Sequence, residues 1–554
     1  MDGTFASLAK GVAEDRYVLW LGSGISLGRM DGLKQVIGRV IEFLRTRIEA
    51  DDPDCRFAKA LNAALTLASL SHEERARVDL ALPFDAWRDS VAISLRLVSN
   101  YARLLDIVVE GEADDYLLWE AVDVRSTFAD PAKLPDVEHL CLAILMLEGA
   151  ASDLISANWD GLIERAMEAL AGRPSPLTVC ARPDDLREPS PRARLIKIHG
   201  CATKAEQDES NYRAFLVARQ SQIHGWIAHS QNAALVTRLL DLIATKPTLM
   251  LGLSAQDANI QALFADAAAR LQWHWPGDRP SYVFSEDELG IDQQGLLQNV
   301  YRGDWTPATR RPIVEGSRVQ AYAKPLLLAL VLHVLCAKVE KLIDTATAHL
   351  EAADRLALKR GINALRDMAA ASAQPDPLIF INALVDQCGR AMRLIRSGSL
   401  ERAQGRYQPI SIESISGMPG NPDLIASGLK EAAIAVGIIG AGVVQGAWMI
   451  KAPASLAPGE GTLQMATSAG NTKVFLAAGA QATLQLWQDG HISESEEPII
   501  IQGHKLVPAM PRSPRGAPGR IGRLGAREVS IAGLLEVCGG FEELFQRFRE
   551  ELAI

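Results

Sequence analysis

The chain has 554 residues, 48% apolar and 22% charged, with a formal net charge of −10. That length exceeds one hydrophobic core and predicts two to four domains. The negative balance excludes a chain-wide pull toward nucleic acid or an anionic membrane, leaving direct nucleic-acid contact to local basic patches. The seven cysteines, at 55, 141, 180, 201, 336, 388 and 538, contain no C-x-x-C pair. Neither a disulfide framework nor a thiolate zinc site is readable, no metal is expected, and a reducing cytoplasm fits best. The first residues, Met1-Asp-Gly-Thr-Phe-Ala6, lack the basic region and apolar core of a signal peptide. The strongest apolar run, Pro325 to Cys336, falls short of the ~20 residues that span a bilayer and reads as a buried helix.

In chain order, residues 17–22 read as a strand running into Gly22 and Gly24. An amphipathic helix over 33–50 follows, with Leu33, Val36, Ile37, Val40, Ile41 and Leu44 on one stripe. Backbone N–H groups at such a glycine turn can face a phosphate. The glycines at 22, 24 and 28 do not have the G-x-G-x-x-G spacing, and a plain tight turn stays open. Residues 57–150 form a mainly helical insert, with segments at 57–70, 92–109, 115–122 and 137–149, read either as a lid or assembly surface or as a static packing subdomain.

Leu154-Ile-Ser-Ala-Asn-Trp-Asp160 and Leu195-Ile-Lys-Ile-His-Gly200 are short apolar runs ending in polar groups, as buried parallel strands do at a sheet's carboxyl edge. Two such ends bring Asn158 and His199 into one crevice. Between them lie a helix over 161–171 and a strand over 177–180. A helix over 227–245, the stretch Thr248-Leu-Met-Leu-Gly-Leu-Ser-Ala-Gln-Asp257 and a strand over 281–284 continue the alternation. This predicts an α/β fold: a Rossmann-like doubly wound parallel sheet with a long helical insert.

From about 315 the pattern changes. Residues 311–374 read as a helical connector and 375–554 as a C-terminal α+β domain, with strands at 432–439, 443–451, 462–465, 473–476, 482–487 and 498–501. Gly437-Ile-Ile-Gly-Ala-Gly442 reads as close strand packing rather than a nucleotide loop. The Arg-rich segment 511–523 is either a solvated loop or an arm for an acidic partner or a nucleic-acid backbone.

Four pieces taken together resemble the sirtuin-like family. Gly22-Ser-Gly-Ile-Ser26 is similar to its Gly-Ala-Gly-Ile-Ser loop, and Ser156-Ala-Asn-Trp-Asp160 to its Thr-x-Asn-x-Asp motif. Lys197-Ile-His-Gly200 is similar to its Lys-x-His-Gly strand end, and Gly252-Leu-Ser254 to its Gly-x-Ser turn. They stand in family order over residues 15–290. The resemblance implies an NAD-binding domain over 1–310, insert included, with Asn158 and His199 catalytic. It implies NAD contacts from Gly22, Ser23, Gly24, Ser26, Asp160, Gly252, Ser254 and Asp257, with the pyrophosphate at the first glycine turn. Asp160 is expected either to orient the Asn158 loop or to cap the next helix.

The family's zinc-ribbon cysteines are missing after Cys201, while a long insert and an extra C-terminal domain are present. That combination resembles the sirtuin-like NADases of prokaryotic anti-phage systems, and it implies an NAD glycohydrolase that releases nicotinamide and ADP-ribose to deplete NAD. Cleavage passes through an oxocarbenium-like sugar, where an Asn amide orients without adding charge and a neutral His accepts a proton. The resemblance also implies a homo-oligomer and a nucleic-acid-processing partner, a HerA-type hexameric ATPase in preference to a short Argonaute. Two alternatives stay open: an NAD-dependent deacylase or ADP-ribosyltransferase, and a non-catalytic sensor of NAD or ADP-ribose.

Overall fold

Runs such as Val-Leu-Trp-Leu and Thr-Leu-Met-Leu offer water no polar face, so they form strands only where helices cover both sides of the sheet. The computed structural model describes residues 1–277, 281–347, 350–373, 375–400, 405–468, 470–493, 497–504 and 526–552. Seven strands, β1 (Val18–Leu21), β2 (Asp153–Ser156), β3 (Leu177–Cys180), β4 (Ala193–Lys197), β5 (Thr248–Leu251), β6 (Tyr282–Ser285) and β7 (Arg318–Val319), form one sheet. Their order is β3-β4-β2-β1-β5-β6-β7, and every neighbouring pair is parallel. The Rossmann-like reading holds.

Alternation along each strand divides the core. Leu19, Leu21, Leu154, Leu195, Leu249, Leu251 and Val283 face one layer, in the same cluster as residues of the helices Val137–Leu147, Leu162–Ala171 and Ala323–Ala346. Val18, Trp20, Ile155, Ile196, Met250, Tyr282 and Phe284 face the other, with the helices Ala233–Thr245, Ala258–Arg270 and Ile291–Val300. The chain builds β2, β3 and β4 on one side of β1, then crosses to β5, β6 and β7 on the other. The direction reverses at β1, and in open α/β sheets the crevice for a ligand lies at the carboxyl ends beside such a reversal.

The insert has its own core, in which Phe57, Leu61, Ile93, Leu97 and Trp119 join Tyr212 and Leu216 from the stretch after β4. It is fastened there by Arg213, which grips the Asp115 carboxylate through two hydrogen bonds of 2.7 and 2.8 Å, and by Ser221 on Asp106 at 2.7 Å.

Beyond β7 the helices Ala323–Ala346 and Ala352–Ala371 lead to a second, mixed sheet of β8 (Met449–Lys451), β9 (Leu463–Thr467), β10 (Gly470–Ala477), β11 (Ile499–Gln502) and β12 (Arg527–Ser530), in the order β12-β11-β10-β9-β8. Three expectations change. The apolar stretch 432–439, and the part of 443–451 up to Val444, lie in a helix, Leu429–Val444, and 482–487 lies in the helix Ala480–Gln488. A buried apolar run carries no period that separates strand from helix, and tertiary packing decides. Gly437 and Gly440 serve that packing: a Cβ on Gly361 would lie 2.3 Å from Gly437 O, and one on Gly440 would lie 2.3 Å from Gly361 O. They let two helices touch backbone to backbone, rather than two strands. The segment 511–523 lies outside the described residues.

One buried ionic cluster joins the two sheets' helical layers. Glu148, just past the helix Val137–Leu147, meets Lys338 at 2.7 Å with both side chains fully buried. Tyr407 donates to Glu148 at 2.6 Å, the Ile410 N–H does so at 3.0 Å, and Lys338 also donates to Ser411 O at 2.6 Å. Among the described residues no helix is long and apolar enough to cross a membrane.

Candidate functional site

The four central strands, β4-β2-β1-β5, deliver all the motif residues to one edge. Gly22 follows β1 directly and opens a 3-10 turn, Ser23–Ser26. Its close packing requires glycines. A Cβ on Gly22 would lie 2.3 Å from Gly252 O, and one on Gly24 would lie 2.5 Å from Gly252 Cα. Gly252 itself has φ +61°, a left-handed conformation that other residues adopt only at a cost. The first loop therefore nests into the turn after β5. The N–H groups of Gly22 and Gly24 bond to Leu251 O and Gly252 O, both at 3.0 Å. These two donors hold loop to loop instead of facing outward, so the expected phosphate cradle retains Ser23, which is exposed. Gly252→Ala is expected to cost about 1–3 kcal/mol through the backbone conformation alone and to part the two loops. Thermal unfolding of the variant checks the first effect and hydrogen exchange at the Gly22 and Gly24 N–H groups the second.

Asn158 follows β2 and is 8% exposed. Its Nδ2 donates to Gly22 O at 3.1 Å and lies 3.5 Å from Ser26 Oγ, while its own N–H donates to Ser156 Oγ at 3.0 Å. Asp160 bonds on two sides, although Gly161 is the N-cap of the following helix. One oxygen accepts the Leu162 N–H at 3.1 Å at the start of the next helix, and the other accepts the Ser26 hydroxyl at 3.0 Å.

His199 follows β4. Its Nδ1 lies 3.1 Å from Ala157 O and its Nε2 2.7 Å from Asp257 Oδ2. A carbonyl only accepts, so Nδ1 donates; Nε2 faces a carboxylate. Both ring nitrogens are therefore engaged, whereas the sequence suggested a ring with a free lone pair. Burial works to raise the Asp257 carboxyl, but the hydrogen bond and charge of His199 outweigh it and hold the group below the ordinary carboxylate range. The other Asp257 oxygen accepts the Asn259 N–H at 2.7 Å and caps the helix Ala258–Arg270. Since β2 and β1 lie between β4 and β5, the His199–Asp257 pair closes an arch across their ends. Tyr101 of the insert stands close enough for the Asp257 charge to add to its burial, and its hydroxyl is pushed up to about 12.

The sequence thus brings Gly22, Gly24, Ser26, Asn158, Asp160, His199, Gly252 and Asp257 into one bonded network. Ser254, exposed on the turn after Gly252, has no contact to that network among the bonds described. Two members had been given no role: Lys197 stood only as part of a motif, and His139 was not singled out. Lys197, 1% exposed, bonds to Asp160 O and pairs with Glu164 at 2.6 Å, holding the Asn158 loop from below. His139, fully buried, lies 3.2 Å from Ser26 Oγ. Its signal was the spacing Asp136-Val-Glu-His139, a helix cap whose third position reaches back to the cap N–H. Among the described residues, no group of three or more His, Cys, Asp or Glu side chains could hold a metal ion.

Residues 152–301 match the family model of the SIR2-like domain. No curated protein matches the chain. The matched stretch runs from the start of β2 to the end of the helix after β6, and so contains Asn158, His199 and Asp257. The Gly22–Ser26 loop lies outside it in sequence, but β1 lies between β2 and β5, which places that loop beside the matched strands in the same sheet. Such a domain carries NAD-related chemistry, and these strand ends are where this chain offers polar groups for it.

Proposed function

We propose that the chain hydrolyses NAD at the nicotinamide N-glycosidic bond, giving nicotinamide and ADP-ribose. The observation that carries this reading is the convergence of the Asn158 amide and the His199–Asp257 pair at adjoining strand ends inside a SIR2-like domain. With its NH₂ spent on Gly22 O, Asn158 offers its carbonyl oxygen to a ribose hydroxyl or to the attacking water. Positive character on the ribose then meets a neutral amide dipole rather than a second cation. With Nδ1–H held on Ala157 O, neutral His199 carries its lone pair on Nε2. That nitrogen exchanges Asp257 for the attacking water and takes its proton as the water oxygen bonds to the ribose carbon and the bond to nicotinamide breaks, and the Asp257 charge stabilises the imidazolium that results. No step calls for a metal.

The test is incubation of the full-length chain with NAD, with nicotinamide and ADP-ribose counted. Release that needs an added acyl-peptide would favour a deacylase or transferase, and binding without release a sensor. Asp257→Asn keeps the side-chain size and removes the charge. It is expected to lower nicotinamide release about 10²-fold, the scale of an acid–base group, with NAD affinity by calorimetry changed much less.

NAD hydrolysis of this kind fits a cytoplasmic effector of anti-phage defence that acts by NAD depletion. The helical insert and the C-terminal α+β region, both additional to the SIR2-like sheet, support control by assembly: a homo-oligomer joined to a HerA-type hexameric ATPase, or alternatively to a short Argonaute. Co-purification with the product of the neighbouring gene tests the partner.

A further inference from the structure

Beneath Asn158 runs a line of buried hydrogen bonds whose direction is fixed at one end. The Asp136 N–H donates to His139 Nδ1 at 3.1 Å, so that nitrogen carries the lone pair and Nε2 carries the proton. Nε2 then donates to Ser26 Oγ at 3.2 Å. This directs the Ser26 hydroxyl proton onto Asp160 Oδ2, 3.0 Å away, and leaves the Ser26 oxygen toward the Asn158 NH₂. Ser26, Asn158 and Asp160 are 4%, 8% and 6% exposed, and His139 is fully buried, so no solvent exchange scrambles the order.

We propose, on the reading of the site just given, that His139 is a positioning residue for the NAD chemistry: it orients Ser26, and through Ser26 and Asp160 it fixes the Asn158 loop. A ring that only filled space would need neither nitrogen aligned, yet both are engaged, Nδ1 as the acceptor the Asp136 N–H requires and Nε2 as the donor that this tautomer leaves. Burial also keeps the ring neutral, against the nearby charges of Asp160 and Asp136, with its pKa brought down to about 4. The other charged groups about it are Arg29, which pairs with Asp136 at 3.1 Å, Lys324, 3.4 Å from Asp136, Glu138 and Arg165.

Glutamine offers the same pair of roles, an acceptor for the Asp136 N–H and a donor for Ser26, whereas leucine offers only volume. In the full chain, His139→Leu is expected to lower kcat for nicotinamide release about 10²-fold, as loss of a group supporting the reacting residues does, and to weaken NAD binding by calorimetry about 10-fold. His139→Gln is expected to return both to within about 3-fold of the parent. Ser26→Ala should match the leucine variant, and the double variant should lose no more than either alone, since the residues act as one unit. Equal losses in the Leu and Gln variants, an unaffected Leu variant, or additive losses with Ser26→Ala would overturn the proposal. A parent chain that binds NAD without cleaving it defeats the hydrolase reading alone, and His139 is then judged by the affinity series. If the Leu variant does not fold, a normal Gln variant beside an impaired Ser26→Ala supports the proposal, and an impaired Gln variant defeats it.

Discussion

Asn158→Ala is expected to lower nicotinamide release about 10²–10³-fold, the cost of removing one preorganised dipole from a developing charge, and His199→Ala about 10²–10⁴-fold, the value of a positioned acid–base group. The two losses differ in kind. Asn158 is buried and ties its loop to Gly22 O, so alanine there both removes the dipole and loosens the first glycine turn, and NAD affinity falls with kcat. His199 hangs from the arch on Asp257, and its removal leaves the Asn158 contacts intact. Affinity should therefore change little in His199→Ala. Steady-state kinetics beside calorimetry separates the two patterns, and full activity in either variant would remove that residue from the site.

Glu148→Ala is expected to destabilise the fold by about 3–5 kcal/mol, because it leaves the Lys338 ammonium buried without its counter-charge. Burial already drives Lys338 below the ordinary ammonium range. The same change strips the Tyr407 hydroxyl and the Ile410 N–H of their acceptor, so the junction between the helix Val137–Leu147 and residues 405–411 should open first. Replacing Glu148 and Lys338 together by Leu and Met is expected to recover only part of that loss, since it removes the unpaired ammonium but still leaves the Tyr407 hydroxyl and the Ile410 N–H without their acceptor. The urea midpoints of the single and double variants check this. A single variant as stable as the parent would mean that the pair contributes nothing.

The central sheet was legible because its strands are buried on both faces, and a short apolar run that ends in polar groups has few other homes. The residues 177–180 read as a strand are those of β3, and the neighbouring strand ends carried Asn158 and His199 to the same edge. β7, two residues long, and β12, which follows the Arg-rich segment, gave no such run. In the C-terminal region, Ala432 to Val444 is apolar on all sides and rich in glycine, so its pattern suited strand and helix equally. Only the approach of Gly361 settles it. In the site, motif residues could be named from the sequence, but their hydrogen-bond partners could not. The bond between Asp257 and His199 was not foreseen, and the N–H groups of Gly22 and Gly24, expected to face a phosphate, are spent on the turn after β5. His139 stands in an apolar helical stretch where a histidine looks like core, and its role shows only when Ser26 arrives from 113 residues earlier.

The measurement that bears most directly on the whole account is product analysis after NAD is incubated with the full chain in the absence of any acylated or acceptor protein. Nicotinamide and ADP-ribose in equal amounts, lost together in Asn158→Ala, is the predicted result. NAD recovered intact, or consumed equally by the variant, would contradict it.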